Sequence, residues 1–434
     1  MKLIKLEIKG LFDLFDYEIP LSNPENLTII TGPNGFGKTM ILNIIDSLFN
    51  KKFLFFQNLI FNEIHFLFDE QTEIIILKKG NISKQHLEIN IIEKKEIVDN
   101  ILVRSDKIKE GYEGLIARYF PAIRKLDAEH WQDRRNRRIF SRLEIFELFN
   151  KTFPDEIHNK VFFDYQSRKF DGIIKKIDVH MIKEQRLLKR RFENENNTTE
   201  YAAYIDDSIQ EFANELSTLI KFTINESSKI SQELDSNFPN RLLNEKGQLT
   251  ETDFKMRFAQ LKDKKEKLRK FGLSESFQEV PESFILENAK VLLVYLNDSE
   301  KKSSVFDDLL ERLELFTNIL NGRRFTYKSI KIDKEQGFSF VTSKNKPLDL
   351  TDLSSGEQHE VILLYELIFK AKSNTLVLID EPEISLHVTW QKEFLNDLMK
   401  IIDLQKIQVI IATHSPQIIN NRWDLTVDLE KSEE

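Results

Sequence analysis

The chain has 434 residues, which at about 150 per domain predicts two or three folding units. Its 41% hydrophobic and 31% charged residues can bury a large core, so extensive disorder is excluded. The charge balance, 63 Lys and Arg against 71 Asp and Glu, is −8, so a polyanionic partner has to meet a local basic patch against a repulsive overall field.

Zero Cys excludes structural disulfides, thiolate zinc sites, Cys-ligated iron–sulfur clusters and a Cys nucleophile, and fits a reducing cytoplasm. The first ten residues, MKLIKLEIKG, hold no apolar run long enough for a signal peptide. No stretch reaches the roughly eighteen apolar residues that span a bilayer, so a cytoplasmic protein is expected. The 34 Phe against 3 Trp are unusual.

Ile4, Leu6 and Ile8 alternate with Lys5, Glu7 and Lys9, the period-2 pattern of a half-buried strand. A second strand, 27–31, runs into a Gly-rich turn, and Ile41, Leu42, Ile44 and Ile45 then read as a helix. Phe66, Phe68, Ile74 to Leu77, and Leu87, Ile89 and Ile91 predict a small antiparallel meander. Residues 101–190 are mixed, with a strand expected at 177–182.

From about residue 200 the spacing changes. Ile205, Ile209, Phe212, Leu216 and Leu219, then Phe254, Phe258, Leu261 and Leu268, recur mostly at three- and four-residue steps and predict amphipathic helices over 200–235 and around 254–268. Two more are expected near 283–297 and 304–321, the last closed by Gly322. A strand pair at 326–332 and 338–342, with Gly337 in its turn, returns the chain to β structure. The apolar runs 375–379 and 408–412 then read as buried parallel strands with a helix between them.

Three segments carry chemistry. Gly32-Pro33-Asn34-Gly35-Phe36-Gly37-Lys38-Thr39 fits G-x-x-x-x-G-K-[ST] between a strand and a helix. In such a loop the glycines let backbone N–H groups curl around phosphate oxygens, Lys38 neutralises β/γ charge, and the Thr39 hydroxyl holds Mg²⁺. Leu376 to Ile379 deliver Asp380 and Glu381 to a strand end, where Asp380 serves the metal of an ATP·Mg²⁺ complex and Glu381 polarises the attacking water. Leu353-Ser354-Ser355-Gly356-Glu357-Gln358 opens a helix and, taken alone, is an N-cap with an acidic first turn.

Together, Leu-Ser-Ser-Gly-Glu and the later Asp380-Glu381-Pro382-Glu383 resemble the signature and Walker B segments of ABC-type ATPases. The resemblance implies an α/β fold: a P-loop ATPase head with an N-terminal antiparallel β subdomain and a helical insertion. It also implies that Ser354 and Gly356 contact the γ-phosphate bound by a second subunit, so ATP brings two copies into a dimer or higher oligomer. Ser385-Leu386-His387 stands at the D-loop position, departing from the usual Ala-Leu-Asp, and Thr413-His414-Ser415-Pro416 resembles the switch-histidine segment, with His414 sensing the γ-phosphate. Gln185 is the candidate Q-loop residue at the metal, with Gln132 as competitor.

Lys38 and Ser354 stand 316 positions apart, far more than in transporter ATPases, and this layout resembles the SMC/RecF-like branch. The expected division is 1–194 and 323–434 as the two parts of the head, with 195–322 as the helical insertion. Within that branch the chain resembles standalone anti-phage ATPases, those of Septu systems and the ATPase half of OLD-type nucleases. With about twenty residues after His414 and no HNH-like His cluster, no nuclease centre of its own is expected. The resemblance implies an HNH endonuclease partner controlled by the ATPase.

Two alternatives stand beside this reading: a RecF-like repair ATPase binding DNA directly, and an ATP-dependent assembly scaffold with little turnover. The first draws on Arg124-Lys125, Arg134-Arg135, Arg137-Arg138, Arg142 and Lys189-Arg190-Arg191, which otherwise read as solvated faces. The mixed-sign run Lys262 to Lys267 reads as the polar side of a helix.

Overall fold

The computed structural model describes residues 1–80, 86–104, 120, 122–127, 130–134, 137–141, 167–183, 188–194, 201–274, 284–325 and 327–430. They pack as two compact units, Met1–Asp206 with Lys370–Glu434, and Asp207–Phe369. No helix among the described residues is long and apolar enough to cross a membrane.

The first unit opens with β1 (Leu3–Leu11) and β2 (Phe15–Pro20). Leu3, Leu6, Ile8 and Leu11 are buried whereas Ile4 is only half-buried, because the pairing of β1 shifts register between Leu3 and Lys5. Next come β3 (Leu27–Thr31), α1 (Lys38–Phe49) and α2 (Phe53–Asn58). The strands β4 (Glu63–Phe68), β5 (Thr72–Lys79), β6 (His86–Glu93) and β7 (Glu96–Arg104) complete a six-stranded antiparallel sheet of order β2-β1-β4-β5-β6-β7. The expected meander is therefore widened by the N-terminal hairpin.

Phe53, Phe56, Phe66, Phe68 and Phe170 are fully buried in this unit's core with Ile41, Leu42, Ile44 and Ile45 of α1.

The mixed region yields β8 (Ile123–Lys125), β9 (His130–Asp133) and β10 (Ile139–Ser141), a small antiparallel sheet, then α3 (Arg168–Ile174) capped by the Ser167 hydroxyl, and β11 (Val179–Ile182). A two-stranded sheet of β12 (Leu188–Asn194) and β13 (Tyr201–Asp207) follows, so the helix expected from residue 200 begins later.

In the second unit α4 (Ser208–Asn244) has 37 residues, about 55 Å at 1.5 Å per residue. With it come α5 (Glu251–Lys270), α6 (Ala289–Ser304) and α7 (Asp307–Ile319). The Lys262 to Lys267 run is a solvated face tied by ion pairs: Lys264 with Asp307, and Lys267 with Glu314. Gly322 does not stop α7 in a left-handed turn; it lies inside a π turn, Leu320–Arg324, that prolongs the helix.

The hairpin of β14 (Lys328–Asp333) and β15 (Gly337–Thr342), extended by β16 (Pro347–Leu348), lies against α4. Gly337 has φ +74°, and a Cβ there would stand 1.9 Å from the Ala213 carbonyl oxygen, so only glycine allows this approach. Phe212 and Tyr365 stack at 4.7 Å beside Phe316 and Phe338, and this packing gathers residues 323–369 into the helical unit. The last helix of the unit is α8 (Ser355–Tyr365).

The chain then returns to the first unit with β17 (Leu376–Asp380), α9 (Val388–Gln405), β18 (Gln408–Ala412), α10 (Pro416–Ile419) and β19 (Thr426–Asp428). With β3 and β11 these strands form a wholly parallel sheet, β11-β17-β18-β3-β19. Every residue of β3, β17 and β18 is buried, the condition that demands apolar runs rather than alternation. Asp380 pairs with Ala412 and Ala412 with Ile30, so the carboxyl ends of three central strands lie side by side. Ligands of open α/β sheets bind at that edge.

The fold is thus the expected α/β P-loop head with an N-terminal antiparallel sheet and a helical region.

Candidate active site

The phosphate loop leaves the end of β3 and turns into α1 through Gly37, whose φ of +82° places it in the left-handed region. Lys38 is buried, and its Nζ donates to the carbonyls of Gly32 at 2.9 Å and Pro33 at 3.2 Å, so the ammonium is held inside the curl of the loop. The outer side is anchored by the Tyr17 hydroxyl, which donates to the Phe36 carbonyl at 2.8 Å, and by Phe15, whose ring lies 5.5 Å from that of Phe36.

Across the same edge, the Thr39 hydroxyl donates to Asp380 Oδ1 at 3.0 Å. Glu381 turns the chain off β17 with φ +40° while its N–H still donates to the Ala412 carbonyl at 2.9 Å. A non-glycine residue in this region is strained, and such strain gathers at functional turns. Glu381 Oε1 faces His414 Nδ1 at 3.7 Å, and the imidazole is half exposed. Lys38 and Thr39, Asp380 and Glu381, and His414 therefore come from three segments to one sheet edge.

Glu383, Thr413 and Ser415 lie within the motifs, but nothing in the sequence assigns them a part. Glu383 Oε1 accepts from the Thr413 hydroxyl at 2.6 Å and from the His414 N–H at 3.0 Å. The Ser415 N–H donates to Thr413 Oγ1 at 3.0 Å, and the Ser415 hydroxyl donates to Gln391 Oε1 at 3.0 Å. Gln391, from α9, donates back to the carbonyls of Glu383 and Leu386. The contact runs between residues about thirty positions apart, so no local pattern announces it.

In the second unit, Ser354 caps α8 in a capping box. Its N–H and hydroxyl both donate to Glu357 Oε2, at 2.8 and 2.9 Å, and Lys328 Nζ donates to both Glu357 oxygens. Burial pushes the Glu357 carboxyl up, but Lys328 and the Ser354 donors outweigh it and hold the group below the usual carboxylate range. The first-turn N–H groups of the helix, that of Gly356 among them, have no intrahelical acceptors by construction and are the donors such a helix start offers an anion.

Of the remaining expected site residues, Gln185 lies outside the described residues. Its competitor Gln132 sits in β9, accepting from Arg124 Nη2 at 2.9 Å. His387 caps α9, accepting from the Thr389 N–H.

The family described as the AAA ATPase domain matches residues 1–419, a span that holds the phosphate loop, Ser354, Asp380, Glu381 and His414. The chain belongs to that family. This AAA ATPase is similar to protein ea59 of Escherichia phage lambda, 30% identical over 128 residues, and to the retron Ec83 probable ATPase of Escherichia coli, 26% identical over 158. It is also similar to the retron Vc95 probable ATPase of Vibrio cholerae serotype O1 biovar El Tor, 27% identical over 167 residues. These matches cover 29%, 30% and 32% of the chain and 24%, 29% and 32% of the relatives, so the chain spans less than a third of their lengths.

Among solved structures it is similar to the Smc head domain of Pyrococcus furiosus bound to the C-terminal domain of ScpA, at 14% identity and TM-score 0.36 over 96% of this chain and 91% of that one. The SMC head domain of Thermotoga maritima gives 13% identity and TM-score 0.31 over 96% and 91%.

An ATPase domain binds its nucleotide with a divalent cation, and the donor chemistry of this AAA ATPase fits Mg²⁺. Thr39 and Asp380 present a hydroxyl and a carboxylate to each other at the phosphate loop, the hard oxygen donors magnesium takes beside phosphate.

Proposed function

We propose that this AAA ATPase hydrolyses ATP with Glu381 as general base, does so in an ATP-joined dimer, and thereby controls a partner nuclease in anti-phage defence. Phosphoryl transfer is catalysed mainly by positioning and charge stabilisation, and each residue has one part in it. The loop N–H groups and Lys38 hold the phosphates. Thr39 and Asp380 would hold Mg²⁺, which when bound neutralises phosphate charge. Glu381 accepts a proton from the attacking water, and His414 meets the terminal phosphate. Ser354 and Gly356 of one copy complete the site of the other.

The observation that carries the hydrolytic part is the convergence of Lys38, Thr39, Asp380, Glu381 and His414 on one sheet edge. The defence part is supported by the resemblance to standalone anti-phage ATPases and by two relatives named as retron probable ATPases.

The test is capture of tagged Glu381→Gln protein with ATP from its native host, with co-purifying chains identified by mass spectrometry. Stable ATP-dependent self-association together with a nuclease is expected. Self-associated protein carrying only DNA would overturn the partner reading in favour of repair.

A further inference from the structure

Behind His414 stands a buried acid that the proposed chemistry does not use. The Glu383 side chain is 6% exposed. Its Oε1 takes the Thr413 hydroxyl and the His414 N–H and lies 3.2 Å from His414 Nδ1. Its Oε2 is buried without a hydrogen-bond partner among the described residues. A buried carboxylate with a bare oxygen is costly, so a merely packed position would be better filled by an apolar side chain.

What the acid achieves is geometric. Thr413 and His414 are tied directly to Glu383, and Ser415 is tied to Thr413 and to Gln391, which itself grips the Glu383 carbonyl. Three consecutive residues of the switch loop are thereby fixed to the turn that carries Glu381, while the imidazole stays half exposed. With Nδ1 turned toward the two carboxylates, Nε2 is the ring nitrogen left to face a ligand.

We propose that Glu383 is a positioning residue that acts through His414, holding the imidazole beside Glu381 so that both meet the terminal phosphate from fixed places. The assignment rests on the hydrolytic reading above.

The experiment is a double-mutant cycle of Glu383→Ala and His414→Ala, reading kcat, ATP affinity and Tm, with Glu381→Gln as a control. Misplacing a catalytic group costs on the order of 10²-fold, so Glu383→Ala is expected to lower kcat by about that factor with ATP affinity held within about threefold. In the His414→Ala background the same change is expected to cost nothing further, because the group it positions is gone.

Losses that multiply, or a fall in ATP affinity as large as that in kcat, would overturn the assignment in favour of ordinary packing, whereas a lower Tm is expected either way because Thr413 and the His414 N–H lose their acceptor. Should Glu383→Ala fail to fold, Glu383→Gln keeps an oxygen for Thr413 and the His414 N–H and is expected to retain kcat within a few-fold; a loss as large as about 10²-fold in it would overturn the positioning assignment. Normal turnover in Glu381→Gln would mean that the hydrolytic reading itself has failed, which is distinct from additivity in the cycle.

Discussion

Thr39 and Asp380 are 341 positions apart in sequence, yet the hydroxyl of one donates to the carboxylate of the other at 3.0 Å. The contact joins the first turn of α1 to the last residue of β17, so the oxygen pair proposed to hold the cation is assembled by the sheet itself. Asp380→Asn keeps an oxygen for the Thr39 hydroxyl and removes the negative charge. It is expected to raise the Mg²⁺ concentration needed for ATP binding by about tenfold or more, since hard-cation sites are tuned by ligand charge. Binding titrations at varied Mg²⁺ measure this, and an unchanged requirement would remove Asp380 from the metal site.

Lys38 is held by two loop carbonyls rather than by an acid, an arrangement that leaves its positive charge uncancelled for phosphate. Charge-assisted hydrogen bonds contribute about 1.5–3 kcal/mol, so Lys38→Ala should weaken ATP binding by on the order of 10²-fold. Calorimetric titration with a non-hydrolysable ATP analogue reads this without interference from turnover. Retained affinity would show that phosphate is held elsewhere.

The parts of the molecule legible in sequence are those whose cause is local. The phosphate loop needs a run of residues with glycines at fixed places, and the apolar runs of β17 and β18 follow from burial on both faces. Other features depend on distant partners. Glu383 gains its role only when Thr413 arrives from the next strand, and Gly337 is required by α4 as well as by its own turn. The strand at 201–207 hid at the head of a helical pattern, because Ile205 and Ile209 satisfy a four-residue step whichever structure Ile205 adopts. The small sheet of β8 to β10 has strands of three or four residues, too short for alternation to declare itself.

Two glycines with similar φ separate backbone strain from steric approach. Gly337, at +74°, faces the Ala213 carbonyl, whereas Gly272, at +67°, has nothing within 4 Å of an added Cβ. Gly272→Ala is expected to cost about 1–2 kcal/mol from left-handed backbone alone. Gly337→Ala adds the overlap with α4 and should cost on the order of 2–4 kcal/mol. Denaturant unfolding of both variants decides it, and equal losses would mean that the hairpin can withdraw from α4 freely.

Glu357 links the start of α8 to acid stability. Burial alone would raise its pKa, but Lys328 and the two Ser354 donors bring it below the ordinary value. A carboxyl lowered on folding contributes stability that is fully present above its unfolded pKa of about 4.3, and that contribution fades as pH falls through the lower folded value. Glu357→Gln should therefore lower Tm at neutral pH, with the gap from wild type closing once both carboxyl states are protonated. Lys328→Met should reduce the same pH-dependent part. Ser354→Ala removes the cap as well, a loss of about 1 kcal/mol that persists at low pH because the hydroxyl also accepts from the Glu357 N–H. Thermal melts between about pH 3 and 7 separate these cases. A Glu357→Gln deficit of constant size across that range would show that the side chain acts by packing alone.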